Sequence, residues 1–407
     1  MNILLYSHVK PFPILTGREL RIYHVWKLMA RRHRVHLIYQ TPDEPERETK
    51  EHLEELFASV DYFLYKPLKS VPNGLSAFKI IHEIFHPPIE DYSMSAYDDA
   101  VREAVETKVR EEKIEAVYTY GLNARQYVGN VKNAAMINDI GDDPTVLHFR
   151  LMKEKKGLVN KLRAVKEWLT ARNFEKKELS KIEHIAMISF DDARIHRRLC
   201  PNSDITILPN GVDSEFFKAG DRAKNGKPVL MFSGVMNYEP NITAALYLCR
   251  EIFPRIKKEI PDVSLYIVGR YPTDKIKTLD SEKLGITITG EVADIKSYFD
   301  RSGVYVCPLR SGAGIKNKIL ESWAMSLPVV ATSLSCEGIE VAPGEDIMVA
   351  DTAEEFARKT VELLKNPQLG EKLARNGRKK VEEKYSWDSR CDIIENKYKE
   401  LMGSRQL

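Results

Sequence analysis

The stretch PLRSGAGIKNKILESWAMSLPVVAT, residues 308–332, decides the fold expected for this chain. An apolar strand at 304–306 leads into a turn with Gly312 and Gly314, then into a helix with Lys318 and Glu321, and then into a second apolar strand. Glycine lets the backbone turn tightly and approach a ligand, and the start of a helix offers N–H groups and a positive dipole end to phosphate. The pattern therefore predicts a βαβ unit with an anion site at the amino end of its helix.

Charged residues near this helix fit a ligand that combines a diphosphate with hydroxyl groups. Arg310 and Lys316 add two cations beside Lys318. Glu321 follows Lys318 by three residues, so both lie on one helix face about one turn apart, and the carboxylate is placed to accept hydrogen bonds from sugar hydroxyls. This is the pattern expected for recognition of a nucleotide-diphosphate sugar. A strand, a glycine turn and a helix with a solvated Lys–Glu pair also describe an ordinary βαβ unit, so the interpretation depends on further segments.

Length and composition bound the class of protein. With 407 residues the chain exceeds one typical core, so two domains of roughly 200 residues each are expected. The sequence is 43% hydrophobic and 30% charged with a net charge of +3, which argues against a nucleic-acid-binding protein. Its five cysteines lack CxxC spacing, which argues against a zinc site or a disulfide framework and favours a reducing cytoplasm.

A basic segment raises the question of membrane contact. Residues 150–181 contain eleven Lys and Arg against four Glu, with apolar residues between them. Such a helical stretch is able to rest on anionic lipid or to attract an anionic acceptor, although most basic helix faces are simply solvated. No apolar run reaches the length of a membrane span, and residues 1–8 are too short an apolar run for a signal peptide. The expected location is therefore cytoplasmic, with peripheral contact at the inner face of the membrane as an open alternative.

Strand and helix patterns alternate along the chain in two series. In the first series strands are predicted at 2–7, 35–39, 116–120, 134–138, 184–189 and 205–208, with a helix at 18–32. In the second series strands are predicted at 229–234, 264–269, 286–290, 304–308, 327–332 and 346–349, with helices at 243–259, 353–364 and 368–384. This alternation predicts an α/β fold of two Rossmann-like, doubly wound domains that face each other across a cleft.

The predicted domain limits follow from composition. The first domain is expected at 1–215, a Gly- and Lys-rich linker at 216–227 and the second domain at 228–385. The last helix, 386–407, is expected to pack back on the first domain. Dinucleotide binding is disfavoured because no GxGxxG motif is present.

Several motifs, in this order, resemble the retaining family 4 (group 1) glycosyltransferases of GT-B fold. LPNGVD at 208–213 resembles the P-N-G-V-D signature of that family, and residues 312–322 are similar to its G-x-G-x-[KR]-x-K-[IV]-L-E-[AS] donor motif. FSGVMNYEPN at 232–241, IVG at 267–269, TGEVADI at 289–295 and YSW at 385–387 are similar to further family segments. PFPILTGRELR at 11–21 resembles a loop of members that build envelope polysaccharides. The motifs span nearly the full chain at family spacing.

The resemblance implies a UDP- or GDP-linked sugar donor and a hydroxyl acceptor on a cell-envelope or polysaccharide glycan, free or lipid-linked, with retention of configuration. It implies that Lys318 faces the diphosphate and that Glu321 holds the nucleotide ribose. Because Arg310 adds charge at the same end of the helix, we expect Lys318 and Arg310 to act in catalysis by stabilising the departing diphosphate. The remaining donor-binding residues are expected to be Gly234, Gly290, Glu291, Gly312, Gly314, Ile315 and Lys316. The acceptor side is expected to include His8, Gly17 and Arg18, although a lone histidine such as His8 is more often structural. No metal and no other cofactor is expected, since the chain has no Asp-x-Asp triplet.

Three departures from the family pattern affect the expected site. Ala313 stands where many members carry a glutamate that touches the donor sugar. Val235 and Pro240 stand where many members carry an arginine and a lysine that clamp the diphosphate. Tyr120 and Gly121 stand where the first domain often has a histidine. The phosphate charge must therefore come from Arg310, Lys316 and Lys318, with Arg270 as a further candidate.

Other interpretations remain open at this point. A sugar-nucleotide epimerase of the same architecture would need acid and base carboxylates at the donor site, and a catalytically silent partner protein would have lost the phosphate cations. Asp139, Asp142 and Asp143 either bind acceptor hydroxyls or cap the next helix, with Pro144 in its first turn, and capping is preferred. The apolar run at 78–85 either shapes an acceptor groove or forms a buried helix face.

Overall fold

The computed structural model describes residues 1–14, 17–65, 84–85, 97–122, 124–141, 143–154, 157–220, 227–312 and 314–403. By its internal contacts the chain divides into two compact units, Met1–Pro209 with Arg390–Leu407, and Asn210–Ser389. Each unit is built on one parallel sheet, which confirms the predicted α/β class with two doubly wound domains. Residues 221–226 of the expected linker and most of the apolar run at 78–85 lie outside the described residues.

The first unit contains a seven-stranded sheet with the order β3-β2-β1-β4-β5-β6-β7. Its strands are β1 Asn2–Ser7, β2 Arg34–Thr41, β3 Ser59–Leu64, β4 Ala116–Tyr120, β5 Ala135–Gly141, β6 His184–Met187 and β7 Asp204–Ile207. Six of them were predicted within a few residues, whereas β3 was missed. This edge strand is half-exposed along its length and carries Asp61, so it lacks the continuous apolar run that marks the buried strands.

Helices cover this first sheet. They are α1 Gly17–Arg32, α2 Arg47–Leu56, α3 Asp99–Glu111, α4 Arg125–Val128, α5 Pro144–Glu154, α6 Leu158–Lys177 and α7 Phe190–Leu199. A buried ion pair ties α1 to the sheet, because Arg21 Nε lies 2.7 Å from Asp139 Oδ2 and Arg21 Nη1 donates to the Leu208 carbonyl at 2.6 Å. In the described part of the chain, no helix combines the length and the apolar character needed to cross a membrane.

The second unit contains a six-stranded sheet with the order β10-β9-β8-β11-β12-β13. Its strands are β8 Val229–Ser233, β9 Ser264–Val268, β10 Ile286–Gly290, β11 Val304–Cys307, β12 Val329–Ala331 and β13 Met348–Val349. Its helices are α8 Glu239–Tyr247, α9 Phe253–Glu259, α10 Asp274–Lys277, α11 Lys296–Arg301, α12 Asn317–Ala324, α13 Ala353–Lys365 and α14 Pro367–Lys384. All six predicted strands are present. The final helix, α15 Trp387–Gly403, begins in this unit and contributes most of its length to the first.

The predicted continuous helix at 243–259 is wrong in detail. The structure has α8, then a π-helical turn at Leu248–Ile252, then α9. Pro254 has no N–H and cannot continue the regular hydrogen bonds of an α-helix, so the backbone widens by one residue just before it. The helix also begins earlier than predicted, because Pro240 occupies its first turn, where a missing N–H costs nothing.

Both sheets reverse their direction of winding at one place. In the first sheet this switch lies between β1 and β4, and in the second it lies between β8 and β11. In open α/β sheets, ligands bind outside the carboxyl ends of the strands at this switch. The loops after β8 and β11 are therefore the first place to look for a ligand site in the second unit.

Candidate functional site

Two loops meet at the switch of the second sheet. Gly234 directly follows β8, and the glycine turn before α12 follows β11. Gly312 has a φ of +109°, and a Cβ added there would lie 3.4 Å from Cβ and Cγ of Pro240, at the start of α8. The glycine turn therefore lies against the start of α8, and the positive φ at Gly312 is the reason that glycine suits this position.

Lys318 extends from the first turn of α12 to the end of β8. Its Nζ donates a 2.7 Å hydrogen bond to Oδ1 of Asn241 and lies 4.7 Å from the centroid of the Phe232 ring. A Cβ added to Gly234 would lie only 2.9 Å from this Nζ. The ammonium thus sits directly beside the backbone at the carboxyl end of β8, next to the loop in which the family's usual arginine is replaced by Val235.

Glu321 lies one turn along α12 from Lys318 and is half-buried. Burial raises the pKa of Glu321 to about 7, and the charge of Lys318 partly opposes this rise. Burial also lowers the pKa of Lys318, against the opposing effects of Cys307 and Glu321. A carboxyl group with a pKa near 7 is able to donate or to accept a hydrogen bond near neutral pH, which suits contact with paired hydroxyl groups.

Lys316 occupies a different position from Lys318. It is 7% exposed and precedes α12 as its N-cap residue. Its Nζ donates to the carbonyl oxygen of Gly314 at 2.5 Å, and Gly314 has a φ of +73°. Lys316 therefore closes the glycine turn, in which Ile315 is buried. The role of Lys316 as a phosphate ligand stays a prediction.

Arg310 is exposed and lies over an aromatic ring. Its guanidinium carbon is 4.8 Å from the centroid of the Tyr247 ring at the end of α8. The position is on the same loop as the glycine turn, but the cation is directed to a ring on α8. Its catalytic role stays a prediction, and Ala313 lies outside the described residues.

Three strand ends that finish in glycine lie against one another. The N–H of Gly269, after β9, donates to the carbonyl of Gly290 at 3.1 Å, and a Cβ on Gly269 would lie 1.8 Å from the carbonyl oxygen of Gly234. Gly290 has a φ of +68°, with open space where a Cβ would be, and Glu291 beside it is exposed. The expected base-binding turn thus lies at the end of the edge strand β10, which β9 separates from β8, and has open space beside Gly290. The sequence analysis missed Gly269, although it closes the IVG segment.

Asn241 is the second residue that the sequence analysis missed. It is 6% exposed, and besides accepting from Lys318 it donates through Nδ2 to the carbonyl of Val235 at 2.9 Å. The only sequence signal was a polar residue directly after Pro240, in the loop where cations were expected.

In the first unit, His8 lies at the switch of its sheet. Its N–H donates to the carbonyl of Tyr120 at 3.1 Å, and its ring stacks on Tyr65 with a centroid distance of 6.1 Å. Burial lowers the pKa of His8 to about 4, a hydrogen bond with Gln40 opposes this, and the charge of Arg18 adds to it. The imidazole is therefore neutral at physiological pH. Gly17 and Arg18 are exposed at the start of α1, and the charge of Arg18 is near enough to His8 to lower the pKa of the imidazole.

The aspartates at the end of β5 and after it have structural roles where they are described. Asp139 is buried, pairs with Arg21 and accepts a 2.5 Å hydrogen bond from the Tyr118 hydroxyl, so it is not open to an acceptor. Asp143 accepts from the N–H of Val146 at 2.8 Å, which confirms the preferred interpretation as a helix cap. Asp142 lies outside the described residues.

One buried cluster in the first unit has side chains of the kind that bind metals. Ligand atoms of Glu175, His196 and Cys200 lie within 4.8 Å of one another. His196 Nδ1 is 2.7 Å from Glu175 Oε1, and the Thr145 hydroxyl donates to the other oxygen of Glu175. The pKa of His196 is raised to about 11: burial, the largest effect, lowers it, but hydrogen bonds to neighbouring side chains, Asp143 first, outweigh burial. This arrangement is a buried ion pair that joins α5, α6 and α7.

Comparison with known proteins identifies the second unit. Residues 227–366 match the family model described as Glycosyl transferases group 1. Over 402 residues the chain is 22% identical to an uncharacterized 44.6 kDa protein in the cps region of Klebsiella pneumoniae, covering 94% of this chain and 96% of that protein. It is 25% identical over 255 residues to the capsular polysaccharide biosynthesis glycosyltransferase CapM of Staphylococcus aureus, covering 56% and 67% of the two chains.

A solved structure shows the same fold. Anabaena HepE in complex with UDP is similar with a TM-score of 0.65 at 14% identity, covering 97% of this chain and 99% of that one. The two parallel-sheet units, the family match and the ordered motifs agree. The chain is therefore a protein of GT-B fold that carries a group 1 glycosyltransferase domain at residues 227–366.

Proposed function

We propose that this protein transfers a sugar from a UDP- or GDP-linked donor to a hydroxyl group of a cell-envelope or polysaccharide glycan, free or lipid-linked. The observation that carries the proposal is the ammonium of Lys318 beside Gly234 at the switch of the second sheet, with Glu321 one turn away. A cation at the amino end of a helix favours a diphosphate, and a half-buried carboxyl group next to it suits the hydroxyls of a ribose.

In the proposed reaction, the bond between the sugar carbon and the diphosphate oxygen breaks while the acceptor oxygen bonds to the same carbon. The acceptor attacks on the face that the diphosphate leaves, so configuration is retained, and a diphosphate oxygen takes the acceptor proton. Lys318, Arg310 and the start of α12 stabilise the charge on the leaving group, and each well-aimed donor contributes roughly 3 to 4 kcal/mol. The proposal assigns this role to side chains and to no metal ion.

The remaining donor contacts are proposed from position. The open turn at Gly290 and Glu291 is proposed to hold the base, and the backbone from Gly312 to Ile315 the phosphates. The names of two similar proteins support the donor and the acceptor: HepE was solved with UDP, and CapM is named for capsular polysaccharide biosynthesis.

On the acceptor side we propose His8, Gly17 and Arg18. All three lie at or after the carboxyl end of β1, where a ligand of the first sheet is expected. Because the imidazole of His8 is neutral, it is suited to hydrogen bonding with a hydroxyl group, while Arg18 is suited to an anionic group of a lipid-linked acceptor.

Peripheral contact with the cytoplasmic face of a membrane is also a proposal. The first two turns of α6 expose Leu158, Val159 and Leu162 by 75%, 71% and 61%, and Lys161 and Arg163 are exposed among them. These three apolar side chains form what we call the α6 apolar patch. Apolar side chains between cations fit a surface of anionic lipid.

The test of the proposed activity is incubation of the protein with UDP- and GDP-sugars, with and without a membrane extract as the source of acceptor. Transfer requires nucleotide release that depends on the extract. An epimerase would convert the donor without an acceptor, and a silent partner protein would release no nucleotide. Lys318→Ala and Glu321→Ala are each expected to reduce donor use at least about tenfold, on the order of 1.4 kcal/mol; unchanged turnover would remove the site assignment.

A further inference from the structure

The loop after β8 receives a positive charge from another element. Val235 in this loop and Pro240 in the first turn of α8 stand where many family members carry an arginine and a lysine. Lys318 reaches this segment from α12 and donates its 2.7 Å hydrogen bond to Asn241 of α8, 77 positions away in sequence. The contact exists because β8 and β11 are neighbours in the sheet. The segment between β8 and α8 has no lysine or arginine of its own and thus receives a cation from α12.

The carboxamide of Asn241 has a defined orientation. Its nitrogen donates to the carbonyl oxygen of Val235 at 2.9 Å, and a carbonyl can only accept. The amide oxygen must therefore be the atom that faces the ammonium of Lys318. Asn241 is 6% exposed and its own N–H donates to the carbonyl of Tyr238 at 2.9 Å, so the side chain is fixed at both ends.

The other groups around the Lys318 ammonium do not hold it in the same way. The ring of Phe232 on β8 attracts the charge without fixing its direction. Cys307 on β11 is buried, and because burial raises its pKa the thiol is neutral. Glu321 on α12 also has a raised pKa. The Asn241 oxygen is the acceptor that fixes the ammonium while leaving its charge uncancelled, since a carboxamide carries no charge.

We propose that Asn241 is a positioning residue that keeps the Lys318 ammonium charged and directed at the diphosphate of the donor, an inference that rests on the proposed function. A neutral acceptor stabilises the charged form of a partly desolvated amine, and the positive charge stays available to a ligand. A carboxylate at the same place would hold the ammonium but neutralise it.

The test is the affinity for UDP and GDP, measured by titration calorimetry over the pH range in which Lys318 titrates. Asn241→Ala is expected to weaken nucleotide binding about tenfold, which corresponds to about 1.4 kcal/mol. In Asn241→Ala the pH at which nucleotide affinity is lost should also be lower than in the wild type, because the Lys318 amine has lost a group that stabilises its charged form. Asn241→Asp is expected to weaken binding while moving this loss to higher pH. Opposite pH shifts would not arise from a general disturbance of the loop.

A double-mutant cycle separates an effect through Lys318 from an effect on the loop. In a Lys318→Ala background, Asn241→Ala should cause no further loss of nucleotide affinity, because the ammonium through which Asn241 acts is gone. The matched control is Asn376→Ala on α14, which removes another carboxamide bonded to a backbone carbonyl, that of Glu345 at 2.7 Å, and should leave affinity unchanged.

The outcomes distinguish the inference from the function on which it rests. If the wild-type protein binds neither nucleotide, the proposed function fails. If the wild type binds them, two results would refute the positioning role and leave the function standing. One is that Asn241→Ala weakens nucleotide binding as much in the Lys318→Ala background as in the wild type. The other is that Asn241→Ala and Asn241→Asp shift the pH dependence of binding in the same direction. Asn241→Asp keeps the size of the side chain, so it carries the test should Asn241→Ala fold poorly.

Discussion

A methyl group at Gly234 would enter the space that the Lys318 ammonium occupies. In Gly234→Ala the new Cβ would lie 2.6 Å from Nδ2 of Asn241 and 2.9 Å from Nζ of Lys318. Both distances are shorter than ordinary van der Waals contact, so both side chains must move by several tenths of an ångström. The Lys318 side chain is flexible, whereas Asn241 is held by hydrogen bonds at its carboxamide and at its backbone N–H. We therefore expect a loss of ligand binding together with a loss of stability.

The two effects have different causes. Overpacking of this kind costs about 1 to 3 kcal/mol of unfolding free energy, and the φ of +157° at Gly234, which an alanine rarely adopts, adds backbone strain to that cost. Displacement of a charged donor from a diphosphate is expected to weaken UDP binding at least about tenfold, since a hydrogen bond to a charged group contributes roughly 1.5 to 3 kcal/mol. The assays are UDP titration calorimetry and urea unfolding of the same preparation.

Gly303→Ala is the matched control. Gly303 precedes β11 at its amino end, and a Cβ there would lie 3.6 Å from the Val229 carbonyl, which is ordinary contact. This variant should bind UDP as the wild type does. The reasoning is refuted if Gly234→Ala binds UDP with wild-type affinity, or if its loss of binding is matched by Gly303→Ala.

Three further predictions concern charge and surface. Glu321→Gln should be more stable than the wild type above about pH 7 but equal to it near pH 4. The pKa of Glu321 is raised from 4.5 to about 7, so the folded wild type loses stability as the pH rises between these values and the carboxyl group ionises. Thermal unfolding of both proteins at both pH values measures this. His196→Gln should cost about 3 to 5 kcal/mol in urea unfolding, since it leaves buried carboxylates without their partner. Because the pKa of His196 is raised from 6.5 to about 11, the loss of unfolding free energy in His196→Gln should be largest below pH 6.5 and should shrink as the pH rises toward about 11. A loss that stays constant with pH would contradict the ion pair. Serine at the three positions of the α6 apolar patch should reduce sedimentation with anionic vesicles and leave thermal unfolding unchanged; equal sedimentation would contradict the membrane contact.

Local patterns predicted most of the secondary structure for a simple reason. Strands of a parallel sheet are buried on both faces, so they appear as short apolar runs that can be recognised without a partner. Thirteen strands are described, and the one that was missed, β3, is the half-exposed edge strand. The π-helical turn before Pro254 was also missed, because a proline within a helical pattern shows that hydrogen bonding changes there but not how the backbone adapts.

The candidate site was predicted in part. Lys318 and Glu321 are three residues apart on one helix, so their common face follows from helix geometry. The contact of Lys318 with Asn241 joins residues 77 positions apart and depends on which strands are neighbours. The ring beneath Arg310 likewise comes from packing, since Tyr247 lies on α8. The carbonyl that accepts from Lys316 is a local partner, two residues earlier in the glycine turn.

Side-chain spacing along one helix or strand is a property of the backbone geometry, so the order of elements, the glycine turn and the Lys–Glu pair could be read from the chain alone. The strand order decides which loops share an edge of the sheet, and burial there decides how the groups titrate. Burial raises the pKa of Glu321 to about 7 and lowers that of Lys318, because desolvation depends on everything packed around a group. No stretch of sequence contains that information, since the atoms responsible come from β8, α8, β11 and α12 together.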